Sequence, residues 1–204
     1  MLIPLDYLVK KYDVKFKGIL HIGAHECEEI YEYEKNIERN KILWVEAMPD
    51  KVKLNKSRFE NLLIENAVVS DREQQIKFNI SNNGQSSSLL ELGLHKQFHP
   101  QVHYVDFFVA NTKLLKNILP KYDISFNFLN LDIQGAELKA LKGMGDEYLS
   151  KVDYIYTEVN SDYVYKDCAL IMELDEYLLR FDLKRVETKW CGNYRWGDAF
   201  YVKS

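Results

Sequence analysis

The sequence predicts an α/β protein: a mostly parallel sheet with helices on both faces, closed by an antiparallel C-terminal hairpin. Three observations carry that prediction. Short apolar runs such as Ile19-Leu20-His21-Ile22, Ile42-Leu43-Trp44-Val45 and Phe126 to Ile133 alternate with helical patterns, as parallel strands buried on both faces require. The first run ends in Gly23-Ala24 and the second in Glu46, which reads as strand, tight glycine turn, helix, strand with an acid at its end. The last two apolar runs, 183–188 and 199–203, are separated only by the polar and aromatic segment from Trp190 to Asp198.

Composition bounds the class of protein. A chain of 204 residues with 47% hydrophobic and 28% charged residues can bury a sizeable core. The expectation is one domain over 1–204, with 1–16 as a helical extension. A net charge of −4, with lysines scattered among acids, excludes a general electrostatic case for nucleic acid or an anionic membrane as partner. No apolar run approaches the roughly 20 residues of a membrane span, and Asp6 interrupts what a signal peptide would keep apolar. A cytoplasmic protein is expected. Three widely spaced cysteines, Cys27, Cys168 and Cys191, with no C-x-x-C, argue against disulfides and structural zinc.

The elements follow in order. Leu5, Leu8 and Val9 lie on one face of a short amphipathic helix over 4–12. A strand over 18–22 is followed by a helix over 26–38 and a second strand over 41–46. Pro49 opens a helix at its first turn, where its missing N–H costs nothing. Residues 62–69 read as a third strand. The alternation over 75–80 fits a half-exposed antiparallel strand, and the polar segment 82–88 is a loop. A strand over 103–109 precedes a short helix over 111–119 that Pro120 ends. Residues 126–133 form the central strand, 136–149 a helix, 154–159 a strand and 168–181 a strongly amphipathic helix. In such sheets ligands bind beyond the carboxyl ends of the strands. That rule gathers Gly23–His25, Glu46–Ala47, Asn66–Ala67, Asp132–Gln134 and Glu158–Asn160 around one crevice.

The turn also discriminates between nucleotides. A pyrophosphate needs G-x-G-x-x-G and free helix N–H groups. Here Gly23-Ala24-His25-Glu26-Cys27-Glu28-Glu29 lacks two of the glycines and carries three carboxylates where an anion would dock. The pattern disfavours NAD or FAD and suits S-adenosylmethionine, which has no phosphate and a positive sulfonium. The same three acids also complement a helix dipole without any ligand.

The order of motifs resembles the FkbM family of S-adenosylmethionine-dependent methyltransferases. The matching residues are His21-Ile22-Gly23-Ala24-His25 with Glu29, Val45-Glu46-Ala47 with Pro49, and Asn66-Ala67-Val68-Val69-Ser70-Asp71. They continue through Ser86-Ser87-Ser88-Leu89, Leu131-Asp132-Ile133-Gln134-Gly135-Ala136-Glu137 with Leu141-Lys142-Gly143, Glu158-Val159-Asn160 and the closing Trp196 to Val202. Gln134 stands where that family usually has Glu, and Cys27 where it usually has a second glycine. The resemblance implies a class I methyltransferase (Rossmann-like) fold. It also implies O-methylation of a hydroxyl on a sugar, glycan or other small acceptor, with S-adenosylmethionine as cofactor.

On this reading Gly23, Ala24, His25, Glu46, Ala47, Asn66, Ala67, Ser87 and Asp132 are candidates to hold the cofactor, with Glu46 on the ribose hydroxyls. Asp132, His95 and Glu158 are candidates at the acceptor. A carboxylate at the mouth of a central strand is costly unless paired or working, and an imidazole titrates near neutral pH; His25 is a rival base. His95, His99 and His103 recur every four residues, but Pro100 breaks the helix face they would share, so no metal site is expected. Trp190, Tyr194 and Trp196 offer rings that could stack on a sugar, but aromatics at a hairpin usually pack, and packing is the expectation. Two other readings stay open: a methyltransferase fold kept as a binding module, and an NAD(P)-dependent oxidoreductase on the same kind of sheet.

Overall fold

The computed structural model describes residues 1–204. Its elements in chain order begin with α1 (Leu5–Tyr12), β1 (Ile19–Ile22), α2 (Ile30–Glu34), β2 (Ile42–Glu46), α3 (Pro49–Arg58) and β3 (Leu63–Asn66). There follow β4 (Gln75–Ser81), α4 (His95–Phe98), β5 (Tyr104–Asn111), α5 (Leu115–Ile118), β6 (Phe128–Leu131), α6 (Glu137–Met144) and α7 (Asp146–Leu149). The chain closes with β7 (Tyr154–Asn160), α8 (Ile171–Leu179), β8 (Leu183–Trp190) and β9 (Trp196–Lys203).

Seven strands form one sheet in the order β3-β2-β1-β6-β7-β9-β8. All neighbours from β3 to β7 are parallel, and β9 runs antiparallel between β7 and β8. The strand order reverses between β1 and β6, the switch point at which such sheets leave a crevice. Successive side chains point to opposite faces, and both faces are covered. Leu20, Ile22, Leu43, Val45, Leu129 and Leu131 pack with α5, α6 and α8 on one side. Ile19, Trp44 and Phe128 pack with α1 and α2 on the other. This two-sided burial explains why the central strands read as continuous apolar runs rather than as alternations.

The second face holds a buried polar network. The Asn130 amide donates to the Tyr33 hydroxyl (2.7 Å), which lies 3.0 Å from His21 Nδ1. The Tyr33 hydroxyl thus joins the Asn130 amide to the His21 ring. Burial lowers the His21 pKa and keeps the imidazole neutral, and the Trp44 ring stacks on it at 4.5 Å.

The structure departs from the sequence reading at four places. The helix expected over 26–38 is regular only as α2, because His25 (φ 41°) and Cys27 (φ 56°) take left-handed backbone and turn the preceding residues into a loop. The helix expected over 136–149 divides at Gly145 (φ 79°) into α6 and α7. The third strand stops at Asn66, three residues early, since the chain beyond it leaves the sheet to line the crevice. Strands β4 and β5 do not join the main sheet; they form a separate two-stranded ribbon. Phe78 packs from that ribbon against Met48 and Val68.

Candidate active site

Gly23 closes β1 with φ 91°, and a Cβ there would stand 1.8 Å from the Asp132 carbonyl oxygen. Only glycine lets β1 and β6 end side by side with this turn between them. The N–H groups of Gly23 and Ala24 both donate to Val45 O (2.9 and 3.1 Å), and the His25 N–H donates to Glu46 Oε2 (2.7 Å). Those of Glu26 and Cys27 go to Glu28 Oε2 and Ala24 O. The five amides from Gly23 to Cys27 are thus consumed by the protein, so this part of the turn has no cradle for a phosphate.

Glu46 is the hinge of this arrangement. Its second oxygen accepts the Met48 N–H at 2.8 Å, so one carboxylate fastens both the β1 turn and the start of α3. It is 5% exposed, and burial raises its pKa against these two bonds. Each oxygen keeps a free lone pair on the crevice side.

The crevice has two parts. The first, about 560 Å³, is mostly apolar, with Ala47, Met48, Ala67, Val68, Phe78 and Leu89 forming its walls and Glu46 among its polar groups. Gly84, Gln85 and Ser87 also line it. Their loop is tied down: Ser88 Oγ donates to the Gln134 carbonyl (2.9 Å), Ser87 Oγ to the Gly84 carbonyl (2.6 Å), and Ser86–Ser88 are buried. The second part, about 1300 Å³, is polar and holds His21, Glu28, Glu29, His95, His99, Glu158, Tyr165 and Trp196. Gly23, His25, Gln85, Asp132 and Gln134 line both parts and mark where they meet.

At that junction Gln134, in left-handed backbone (φ 57°), holds three side chains. Its amide nitrogen donates to Asp132 Oδ1 (2.6 Å) and Glu158 Oε2 (3.0 Å), and its carbonyl oxygen accepts from the Tyr165 hydroxyl (2.6 Å). Asp132 is open to the crevice by area yet enclosed on its other sides by protein. That enclosure, reinforced by Asp198, pushes its carboxyl up to about 6. Burial, then Asp132, raises Glu158 well above the carboxylate range. Glu137 lies beneath, 2% exposed, accepting the Ile133 and Gly135 N–H groups at 3.0 and 3.1 Å. It fastens the turn after β6 and does not line either part of the crevice.

The structure therefore brings Gly23, His25, Glu46, Ala47, Ala67, Ser87, Asp132, His95 and Glu158 together around the crevice. Ala24 and Asn66 stay outside it. Ala24 is buried under the sheet, and the Asn66 amide donates to the carbonyls of Glu46 and Ala47, pinning two strand ends. His95 is 6% exposed with Nδ1 unpartnered, and burial lowers its pKa. His99 stacks near Tyr194 at 4.7 Å, whereas His103 is exposed on the ribbon. His21 and Tyr165 line the polar part without having been singled out as site residues. Gln134, gathered with its strand end, also carried a signal in the sequence, its departure from Glu. Among the three hairpin aromatics, Trp196 faces the crevice rather than only packing the hairpin.

A sequence-family model described as the methyltransferase FkbM domain matches residues 21–185. No curated protein matches the chain. The fold resembles that of the methyltransferase FkbM from Methylobacillus flagellatus KT, with TM-score 0.58 and 15% identity over 92% of this chain. The match spans 43% of that longer protein. The magnesium protoporphyrin IX methyltransferase of Synechocystis PCC 6803, solved with bound S-adenosylmethionine, gives TM-score 0.52 at 9% identity, covering 98% of this chain and 76% of that one. An S-adenosylmethionine-dependent methyltransferase from Clostridium acetobutylicum ATCC 824 gives 0.51 at 8%, covering 97% and 88%. At such identities the likeness is one of fold.

Proposed function

This chain belongs to the FkbM methyltransferase family, and from that premise we propose that it transfers a methyl group from S-adenosylmethionine to a hydroxyl of a sugar, glycan or similar small acceptor. The cofactor supplies an activated methyl on a sulfonium. The residues of the apolar part fit its adenosine end. Ala47, Met48, Val68, Phe78 and Leu89 offer the flat apolar walls an adenine needs, and Glu46 keeps lone pairs for the ribose hydroxyls. The turn, with the N–H groups of Gly23 to Cys27 taken, favours a phosphate-free ligand over a dinucleotide.

The observation that carries the reading is the junction. Asp132 and Gln134 face both parts of the crevice, so an acceptor oxygen in the polar part and a methyl donor in the apolar part meet beside them. Alignment supplies most of the rate in such a transfer. The remaining task is to remove one proton from the attacking hydroxyl. Asp132, raised to about 6, is an effective acceptor near neutral pH. His95, kept neutral by burial, orients the acceptor and receives its second hydrogen bond. Trp196, half-buried beside the polar part, provides a ring face of the kind sugars pack on.

Calorimetric titration with S-adenosylmethionine and S-adenosylhomocysteine tests the first step. Incubation of a glycan panel with the methyl donor, read by mass for one added methyl, tests the second. Binding with single methylation is expected, lost in Asp132→Asn. Absence of cofactor binding refutes the proposal. Binding with no demethylated product from any acceptor favours the binding-module reading.

A further inference from the structure

The β4–β5 ribbon carries an apolar stripe that no other part of the chain covers. Its inner face, with Phe78, Phe108 and Ala110, packs over Met48 and Val68. On its outer side Val105, Phe107 and Val109 are 58%, 52% and 57% exposed. Phe107 and Val109 are alternate residues of β5 and share one face of the ribbon. The Lys77 ammonium on β4 lies 4.6 Å from the centre of the Phe107 ring.

The backbone of the same residues is also free. Just past the strand end the Thr112 N–H donates to the Gln74 carbonyl at 2.9 Å. The ladder alternates from that pair, so Ala110 and Phe108 bond to β4 while Val109 and Phe107 turn their N–H and C=O groups outward. No third strand joins the ribbon on that side. The Phe107 N–H falls back on its neighbour's side chain, donating to Asp106 Oδ1 at 2.8 Å.

Open strand edges attract other strands unless they are short, charged, bulged or covered. The other edges of this protein are managed in those ways. Strand β8 carries Lys184, Arg185, Glu187 and Lys189, with a register shift between Arg185 and Glu187. Strand β3 has four residues. The outer side of β4 is closed where Asn79 and Ser88 exchange two backbone bonds, at 2.9 and 3.1 Å. By contrast β5 has eight residues, of which Asp106 is the one charged. Its register shift lies before Asp106, outside the stretch from Phe107 to Asn111.

The stripe reads the same in both directions: Val105, Phe107, Val109. A two-fold contact needs such a surface, because each residue i must meet the other copy's j while j meets the other copy's i. Antiparallel pairing of β5 with a second β5 about Phe107 sets Phe107 beside its equivalent and Val105 opposite Val109 of the second copy. Eight residues make an edge about 27 Å long. Two such edges pair over an area on the order of 1,000 Å² in total, the low end for a specific interface. That area suits a reversible dimer rather than an obligate one.

We propose that the β5 edge is a self-association surface, on which two copies of this chain join reversibly into one continuous antiparallel sheet. Asp106 limits the contact. Its carboxylate occupies the Phe107 N–H that the second copy needs, and across the two-fold axis it comes to lie diagonal to its equivalent, where like charges repel. The inference uses the ribbon alone and does not depend on the methyl transfer.

Sedimentation velocity of the whole chain, from low micromolar to several hundred micromolar, tests it. A monomer–dimer equilibrium with a micromolar Kd is expected. Phe107→Lys puts a charge on the two-fold axis, and association at least about tenfold weaker is expected. Asp106→Ala frees the N–H and removes the repulsion, and association about threefold tighter or more is expected. In the native protein, amide exchange at Phe107 and Val109 is expected to slow as concentration rises, with that at Phe108, already bonded to β4, changing less. A native-like melting temperature shows that each variant is folded; should Phe107→Lys fail to fold, Val109→Lys replaces it, with the same weakening expected. A chain that stays monomeric throughout the range overturns the proposal, as does a dimer that Phe107→Lys leaves intact or assembly that continues past the dimer. Equal or weaker association of Asp106→Ala overturns the pairing about Phe107.

Discussion

Replacing Glu46 by Gln tests the central clamp of the site, because the change keeps the shape and removes one acceptor. In the native protein the two oxygens accept from His25 N (2.7 Å) and Met48 N (2.8 Å). A carboxamide satisfies one of these and turns a donor toward the other. The orphaned buried N–H then costs roughly 1–3 kcal/mol. Burial raises the Glu46 pKa, so removing the charge returns part of the desolvation penalty. The net expectation is a loss of about 1–2 kcal/mol, or roughly 2–8 °C in melting temperature for a domain of this size. Cofactor affinity falls further, by about tenfold or more, since the ribose loses a charge-assisted acceptor. Urea unfolding and calorimetry with S-adenosylhomocysteine measure the two effects separately. Unchanged stability would refute the clamp. Lost stability with unchanged cofactor affinity would refute the ribose role and leave Glu46 purely structural.

Further expectations concern the turn, the polar core and the acid cluster. Gly23→Ala must move the Asp132 carbonyl and adopt φ 91° with a side chain, which costs about 3 kcal/mol or more; a melting temperature equal to the native one would contradict the packing of β1 on β6. Tyr33→Phe leaves the Asn130 amide and His21 Nδ1 without partners in the core, and a loss of about 2–3 kcal/mol in urea unfolding is expected, with a change below about 0.5 kcal/mol counting against the network. For Glu158→Gln the sign follows from its raised pKa. The folded protein holds a proton that the unfolded chain releases, so this group's contribution falls as pH rises above about 4 through the folded pKa. The variant is therefore expected to gain stability over the native protein at about pH 8 and to match it near pH 4; a gain of equal size at both values would exclude titration as the cause.

Much of the crevice was legible because its positions follow from strand ends. Gly23, Glu46, Ala67, Asp132 and Glu158 each sit where an apolar run stops, and a parallel sheet delivers all such ends to one side. Ala24 and Asn66 satisfy the same rule yet miss the crevice. The side chain of Ala24 turns under the sheet, and that of Asn66 turns back onto neighbouring carbonyls. Direction at a turn depends on φ and ψ, which apolar spacing does not encode. The loop from Glu26 to Glu29 was read as helix because its acids and spacing suit a first turn. The left-handed His25, held by bonds to Glu46 and Asn55, and the left-handed Cys27 override that preference.

By itself, the sequence determined the alternating α/β plan, the strand-end residues and the family, since period, turn chemistry and motif order are local properties of the chain. The tertiary structure alone decided that β4 and β5 leave the sheet. It also decided that the N–H groups of Gly23 to Cys27 are already taken, and that Gln134 bridges Asp132 to Glu158 under the Tyr165 hydroxyl. Those facts depend on which groups meet across long separations, and hydrogen bonds between distant residues leave no periodicity behind to be read.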